Sequence, residues 1–235
     1  MEVKQYSTKQ EAREAAAQKF NQLLDAHSHV PTLFLSSGGS SLTLLDSIEI
    51  FPPNFTIGMT DERFSEDPKV NNFAKLCGTS FFQKAQERGA FFIDSRPQAG
   101  EGLELFARRQ EQSLRTWRKE HEGGRIIITQ GVGEDGHTLG IMPFPEAPEA
   151  FLSLFENEER WVAGYDAKDK NEFPLRVTCT LPFLRMADHS VLLIVGENKR
   201  DAMTRMLAKE GNLWETPGRI IQEMKNVKLF TDIVY

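Results

Sequence analysis

Arg125-Ile126-Ile127-Ile128-Thr129, followed at once by Gln130-Gly131-Val132-Gly133-Glu134-Asp135-Gly136-His137, is the stretch on which the fold turns. Its β-branched run has Gly123-Gly124 before it and Gly131 after it, which predicts a buried strand with sharp ends. Three successive isoleucines place apolar side chains on both faces of the strand, which needs cover on both, as in a parallel sheet between helices.

The flanking sequence supplies that cover. Leu103 to Glu120 predicts a long amphipathic helix, apolar at Leu103, Phe106, Leu114 and Trp117 and stopped by Gly123-Gly124. Thr8 to His27 predicts another, with Thr8 and Glu11 spaced as a capping box and Ala12, Ala16, Phe20, Leu23 and Leu24 at helical spacing. Further strands are expected at Thr32 to Leu35, Phe55 to Met59, Ala90 to Ile93, Trp161 to Tyr165, Leu175 to Thr180, Val191 to Val195 and Val227 to Phe230. Helices are expected around Leu42 to Leu45, from Asn71 to Phe82 and from Asn198 to Ala208, with a charged turn at Thr60-Asp61-Glu62-Arg63. Strands alternating with helices predict an α/β fold of the Rossmann-like kind, a largely parallel sheet flanked by helices on both faces. With no repeat and no long linker, residues 1–235 are expected to form a single domain.

Composition narrows the function. The chain has 235 residues, 40% of them hydrophobic, enough for a sizeable core. Lys and Arg number 28 against 34 Asp and Glu, and a net charge of −6 gives no broad basic face for nucleic acid. No apolar run could span a bilayer, and Met1-Glu2-Val3-Lys4-Gln5 has no signal-peptide core behind it, so a cytoplasmic protein without membrane partners is expected. Two cysteines, Cys77 and Cys179, make no disulfide framework, and no metal-ligand spacing is present. No pattern bears on oligomeric state, and a monomer is the default.

Three loops, each following a predicted strand, could meet beyond the carboxyl ends of the strands, where open α/β sheets bind ligands. Ser36-Ser37-Gly38-Gly39-Ser40-Ser41 lets the backbone approach an anion and aims helix N–H groups at it, although taken alone it reads first as a plain strand-to-helix turn with serine caps. It lacks the spacing and the Lys-Ser/Thr ending of a Walker loop. Asp61 and Arg63, two residues apart, could orient a reacting group and hold an anion, or form a surface ion pair. Gly131, Gly133 and Gly136 impose a tight path that ends by presenting Asp135 beside His137. Histidine suits acid–base work near neutral pH, and a carboxylate can fix its tautomer. His27, His29, His121 and His189 have no such context and read as solvated or packed.

At this loop Gly131-Val132-Gly133-Glu134-Asp135-Gly136-His137-Thr138 resembles the signature of the 6-phosphogluconolactonases, within the wider fold that includes glucosamine-6-phosphate deaminases. Ser37-Gly38-Gly39-Ser40 is similar to that family's Ser-Gly-Gly-Ser turn, and Asp61-Glu62-Arg63 to its Asp-Glu-Arg triplet. Asn72 falls where the family has a Ser-Asn pair. Arg176-Val177-Thr178 resembles its Arg-x-Thr strand, Gly196-Glu197-Asn198-Lys199 its Gly-x-x-Lys turn and Leu229-Phe230-Thr231-Asp232 its closing strand. The landmarks stand in family order along nearly the whole chain.

The resemblance implies a cytoplasmic hydrolase of 6-phosphoglucono-1,5-lactone in the oxidative pentose phosphate pathway, with a phosphorylated sugar lactone as its partner and neither metal nor cofactor. It implies that His137 activates water, Asp135 orients His137, Arg63 stabilises the oxyanion and Asp61 holds the neighbouring geometry. Phosphate would fall to Arg176, Lys199 and the amides of Gly38, Gly39 and Ser40, with Asn72 beside them. Thr138-Leu139-Gly140-Ile141-Met142-Pro143 departs from the family's Thr-Ala-Ser-Leu-Phe-Pro, and Ser41-Leu42 from its Thr-Pro. Two alternatives stand: a glucosamine-6-phosphate deaminase, although no carboxylate follows His137 before Glu146, and a sugar-phosphate-binding regulator without turnover.

Overall fold

The strand at the centre of the sequence is central in space. In the computed structural model, which describes residues 1–234 apart from the side chain of Ser40, it runs from Arg125 to Gln130 as β6. The chain reaches it through β1 (Glu2–Gln5), α1 (Lys9–Ala26), β2 (Thr32–Ser36), α2 (Leu42–Leu45), β3 (Phe55–Met59), β4 (Asp61–Arg63), α3 (Asn72–Cys77), α4 (Ser80–Glu87), β5 (Phe91–Phe92) and α5 (Leu103–Glu120). After β6 come α6 (Pro148–Phe155), β7 (Val162–Asp166), β8 (Leu175–Cys179), α7 (Leu181–Met186), β9 (His189–Ile194), α8 (Arg200–Leu207) and β10 (Val227–Thr231).

Seven strands form one sheet in the order β1-β10-β9-β6-β2-β3-β5, and every pairing in it is parallel. Successive strand residues face opposite sides, so β6 feeds two cores at once. Ile126 and Ile128 pack with Leu33, Leu35, Phe106 and Trp117 on the α5 side. Ile127 packs with Phe34, Phe20, Leu24 and Phe81 on the side of α1 and α4. Burying an isoleucine in this way contributes about 1.5–3 kcal/mol. The expected α/β architecture, with helices on both faces, is present.

Several local expectations needed correction. Thr60 to Arg63 is no turn: Asp61–Arg63 is a strand, paired antiparallel with β8 in a second, three-stranded sheet of order β4-β8-β7. The short charged segment carries no apolar alternation, and its partner comes more than a hundred residues later. The helix expected from Asn71 to Phe82 divides at Gly78-Thr79, where the Thr79 side chain accepts from Phe82 N–H and caps α4 anew. The helix expected from Asn198 opens as a 3-10 turn, Glu197–Lys199, before α8. Glu2–Gln5, too polar to read as a strand, pairs with β10 at the sheet edge. Pro148 opens α6 at its first position, where its fixed φ suits a helix start.

Candidate active site

A cleft of about 480 Å³ opens above the carboxyl ends of β9, β6, β2 and β3, and the three expected loops all reach it. Its size is ordinary for a small-molecule site. It is lined from β2 by Ser37, Gly38 and Gly39, from β4 by Asp61 and Arg63, and from the β6 loop by Gly131, Gly133 and His137. Asn72, Arg176 and Lys199 complete the expected set; Ser40 belongs to the 3-10 turn Gly39–Ser41, and its side chain lies outside the described residues.

The β6 loop is held by its own backbone. Gly133 N–H donates to His137 O at 2.8 Å, and Gly136 N–H to Gly133 O at 3.0 Å. Gly218 N–H, in the 3-10 turn Pro217–Gln222, donates to Gly136 O at 3.0 Å and straps the loop from outside. At the tip, His137 Nδ1 lies 2.6 Å from Asp135 Oδ1, which also accepts His137 N–H at 3.1 Å. An ionised carboxylate only accepts, so Nδ1 carries a proton, and in the neutral ring it is Nε2 that holds the free lone pair. Partial burial works to raise the Asp135 carboxyl, but the hydrogen bond and charge of His137 more than offset it and hold the group below its ordinary value. Gly133 is there for space. A Cβ on it would lie 2.1 Å from His137 Nδ1 and 2.5 Å from Asp135 Oδ1.

Strand alternation explains the Asp61-Glu62-Arg63 triplet. Asp61 and Arg63 face the cleft, while Glu62 points behind the sheet and is buried. There its carboxylate accepts N–H from Asn72 at 2.6 Å, Phe73 at 2.9 Å and Arg63 at 2.8 Å, and the Ser95 hydroxyl at 3.0 Å. Burial pushes Glu62 up to about 7 against those backbone bonds. Glu62 therefore fixes Asn72 and Arg63 without touching the cleft. Gly38 packs directly on Asn72, whose amide oxygen would lie 2.5 Å from a Cβ there.

Arg63 and Arg176 are register partners across β4 and β8, two like charges placed opposite each other. Such a pair repels unless an anion compensates. Asp61 does so in part, with Oδ2 at 3.5 Å from Arg176 Nη1, and Asn171 Oδ1 accepts from Arg176 Nη2 at 2.8 Å. Lys199 comes from the other side, on the turn after β9, which Asn198 joins to the β6 loop by donating to Glu134 Oε1 at 2.6 Å. Arg176 and Lys199 thus line one cleft from different walls.

Lys9 and Arg13 were missed by sequence reasoning. They lie one turn apart on α1, whose first residue stands at the same sheet edge, and both line the cleft. Their spacing on the polar face of an amphipathic helix gave no signal by itself. With them the lining holds five Lys and Arg side chains against the single carboxylate of Asp61, in a chain of net charge −6. Among the described residues, five buried side-chain polar atoms have no partner, and four belong to this lining: Arg13 Nε, Arg63 Nε, Asn72 Oδ1 and Arg176 Nε. Unpaired buried polar groups are costly. The three arginine Nε–H groups call for acceptors such as anionic oxygens and Asn72 Oδ1 for a donor such as a hydroxyl, so their concentration here marks a site built for a polar ligand that carries both.

The departing segment after His137 divides in two. Ile141 and Met142 are fully buried in the core behind the loop, whereas Leu139 and Gly140 line the cleft. Gly140 sits at φ +74°, where a Cβ would come within 2.8 Å of Asp61. Glu146 pairs with Lys170 at 2.6 Å and is not part of the lining, so the carboxylate that a deaminase would add is absent from the cleft. Among the described residues no group of three His, Cys, Asp or Glu side chains could hold a metal ion, and no helix is long and apolar enough to cross a membrane.

Known proteins resemble this chain along most of its length. The family model described as glucosamine-6-phosphate isomerases/6-phosphogluconolactonase matches residues 4–230. The chain is 24% identical over 197 residues to the 6-phosphogluconolactonase of Nostoc sp., covering 81% of this chain and 77% of that protein. It is 28% identical to the human 6-phosphogluconolactonase over 65% of this chain and 56% of that one. Among solved structures, a 6-phosphogluconolactonase from Shewanella baltica superposes with a TM-score of 0.78 at 20% identity, covering 98% of this chain and 96% of its own.

Proposed function

The chain belongs to the glucosamine-6-phosphate isomerase/6-phosphogluconolactonase family, and from that premise we propose that its cleft hydrolyses 6-phosphoglucono-1,5-lactone to 6-phosphogluconate, the lactonase step of the oxidative pentose phosphate pathway. The observation that carries the proposal is the His137–Asp135 pair at 2.6 Å, set in a cleft whose lining charge is cationic. A phosphorylated lactone is an anion with an activated ester carbonyl, and it asks for both.

In the proposed mechanism His137 Nε2 takes a proton from water as the oxygen attacks C1. Asp135, holding Nδ1–H, keeps the ring in the required tautomer and stabilises the imidazolium that forms. The carbonyl oxygen becomes an oxyanion, and Arg63 supplies the facing positive charge, with Asp61 and Arg176 fixing its surroundings. One such donor is typically worth about 10²–10³-fold in rate. Collapse of the tetrahedral intermediate breaks the bond from C1 to the ring oxygen, which leaves as the C5 hydroxyl after taking the proton back from His137. Lys199, Arg176 and the backbone of the Gly38-Gly39-Ser40 turn receive the phosphate, and Asn72 buttresses that turn. All of these side chains act by position and charge.

Hydrolysis of freshly generated 6-phosphoglucono-δ-lactone, corrected for the spontaneous rate, tests the proposal. Turnover well above background, with little acceleration of unphosphorylated gluconolactone, is the expected result. No acceleration of either lactone would overturn it and favour a phosphosugar-binding protein without turnover.

A further inference from the structure

We propose that Lys9 and Arg13, on the first turns of α1, form with Lys199 the wall that grips the phosphate dianion, and so set this chain's preference for phosphorylated over unphosphorylated ligands. The proposal rests on the lactonase reading for the identity of the ligand, but the clamp is a property of the cleft and can be tested by binding alone.

The placement is specific. A Cβ at Gly196 would lie 3.2 Å from Lys9 Nζ and 3.5 Å from Lys9 Cε, so the Lys9 ammonium rests over the turn that ends in Lys199. Arg13, one helical turn further on, lines the same cleft and has a buried Nε with no partner. The acids around this corner have other partners: Asp232 accepts Gly196 N–H at 2.8 Å, Glu197 pairs with Arg200 and Glu134 accepts from Asn198. Glu11 accepts N–H from Ser7 at 3.0 Å and Thr8 at 3.1 Å in the capping box, and Glu14 accepts from Gln10 at 2.7 Å.

Charge pairing elsewhere shows the contrast. Arg96, Arg108, Arg109 and Arg115 all hold a carboxylate within 3.2 Å. On the far wall of the cleft, Arg176 is held in part by Asp61 and Asn171, and Arg63 donates to Val70 O at 3.3 Å. Each keeps a buried Nε without a partner, so Arg176 meets the phosphate from the opposite wall while Arg63 faces the carbonyl. None of the side chains of Lys9, Arg13 and Lys199 is in a salt bridge among the described residues. A phosphate monoester near neutral pH has about two negative charges and three acceptor oxygens, which suits three cations.

The distances along the sheet fit as well. β9, which leads to Lys199, neighbours β6, which leads to His137. Strands lie about 4.8 Å apart, so a phosphate over β9 and a carbonyl over β6 are one or two spacings, about 5–10 Å, from each other. That is the reach of a six-carbon chain from C1 to a phosphate on O6.

Calorimetric titration with 6-phosphogluconate and with inorganic phosphate is the direct test, using the unaltered chain, Arg13→Gln, Lys9→Gln and Arg13→Lys. Loss of one charge-assisted contact in Arg13→Gln should weaken 6-phosphogluconate binding about tenfold or more, with a smaller loss, about threefold, for the more exposed Lys9→Gln. Arg13→Lys should recover most of it. With lactone, the KM of Arg13→Gln should rise far more than its kcat falls, and preference for the phosphorylated lactone should drop by the same factor. Equal affinity of all four proteins for 6-phosphogluconate would overturn the clamp, as would an equal loss of affinity for unphosphorylated gluconate. Lys9→Gln, altered at an exposed position, serves if Arg13→Gln does not fold. An unaltered chain that binds 6-phosphogluconate but does not hydrolyse the lactone overturns the lactonase reading and leaves the clamp standing; one that binds neither probe overturns both.

Discussion

Two histidine contacts occupy opposite edges of one parallel sheet. At the carboxyl edge His137 Nδ1 meets Asp135 at 2.6 Å; at the amino edge His27 Nε2, at the end of α1, meets His189 Nε2, at the start of β9, at 2.9 Å. Each contact joins a half-buried ring to a titratable partner. Only the partner's chemistry and the surroundings differ. A carboxylate fixes one nitrogen of His137 and leaves the other basic, in a cleft lined by cations. Two facing rings share one proton between their Nε2 atoms, and neither lines that cleft. A histidine is chemically useful here because of the sheet edge on which its loop ends and because a glycine has cleared space for its carboxylate.

Removing His137 should have the largest effect. His137→Asn keeps a polar head of similar size and loses the base, so lactone turnover should fall about 10²–10⁴-fold while 6-phosphogluconate still binds. Unchanged turnover in a stopped assay would place the base elsewhere and make the two histidine contacts equivalent. Gly133→Ala sharpens the comparison without touching a reacting group. Its Cβ would overlap His137 Nδ1 and Asp135 Oδ1, and Gly133 has no positive φ that alanine would resist. A displacement of about 1 Å can cost about 10²-fold, so turnover should fall steeply while the melting temperature changes little. Full turnover in Gly133→Ala would mean that the Asp135 contact is dispensable.

The central features were legible because they are local. The isoleucine run predicts β6, the Thr8–Glu11 capping box is present as such, and Leu103 to Glu120 is helical over those same residues. The glycine loops and their acid–base residues follow their strands, so reading the strands also placed the loops. What escaped depends on partners distant in sequence. β4 exists only because β8 pairs with it, and the polar Glu2–Gln5 is a strand only beside β10. Lys9 and Arg13 become site residues only when α1 is set over the turn after β9, and nothing in an ordinary amphipathic pattern announces that. His27 and His189, 162 residues apart in sequence, could not be read as a pair for the same reason.

The smallest expected effect lies at the amino edge. Burial, with the positive charge of Arg125 and of the neighbouring histidines added, holds both His27 and His189 below the ordinary histidine value, and Asp188 opposes this only in part. Lys19 acts in the same direction on His189. In the unfolded chain these rings take up protons near pH 6.5, whereas in the folded chain they resist until a lower pH. The unfolded state therefore binds more protons in that window. The pair's contribution to stability is complete above about pH 6.5 and is lost as the pH falls toward the folded values. Lowered carboxylates such as Asp135 and Glu101 act further down, in the carboxylate range. Glu62, raised to about 7, takes up its proton in the folded chain within the same interval and works in the opposite sense. The histidine part is therefore read as the difference between the melting curves of the unaltered chain and of a histidine variant from about pH 7.5 to 5. His27→Gln removes one titrating ring and should reduce the fall in melting temperature across that interval by about 1–2 °C, since 1 kcal/mol corresponds to about 2–4 °C at this chain length. Lactone turnover should keep its pH profile in this variant, because neither His27 nor His189 lines the cleft. An unchanged pH dependence of melting would remove the amino-edge pair as a source of acid sensitivity, and an altered turnover profile would show that the two edges are coupled.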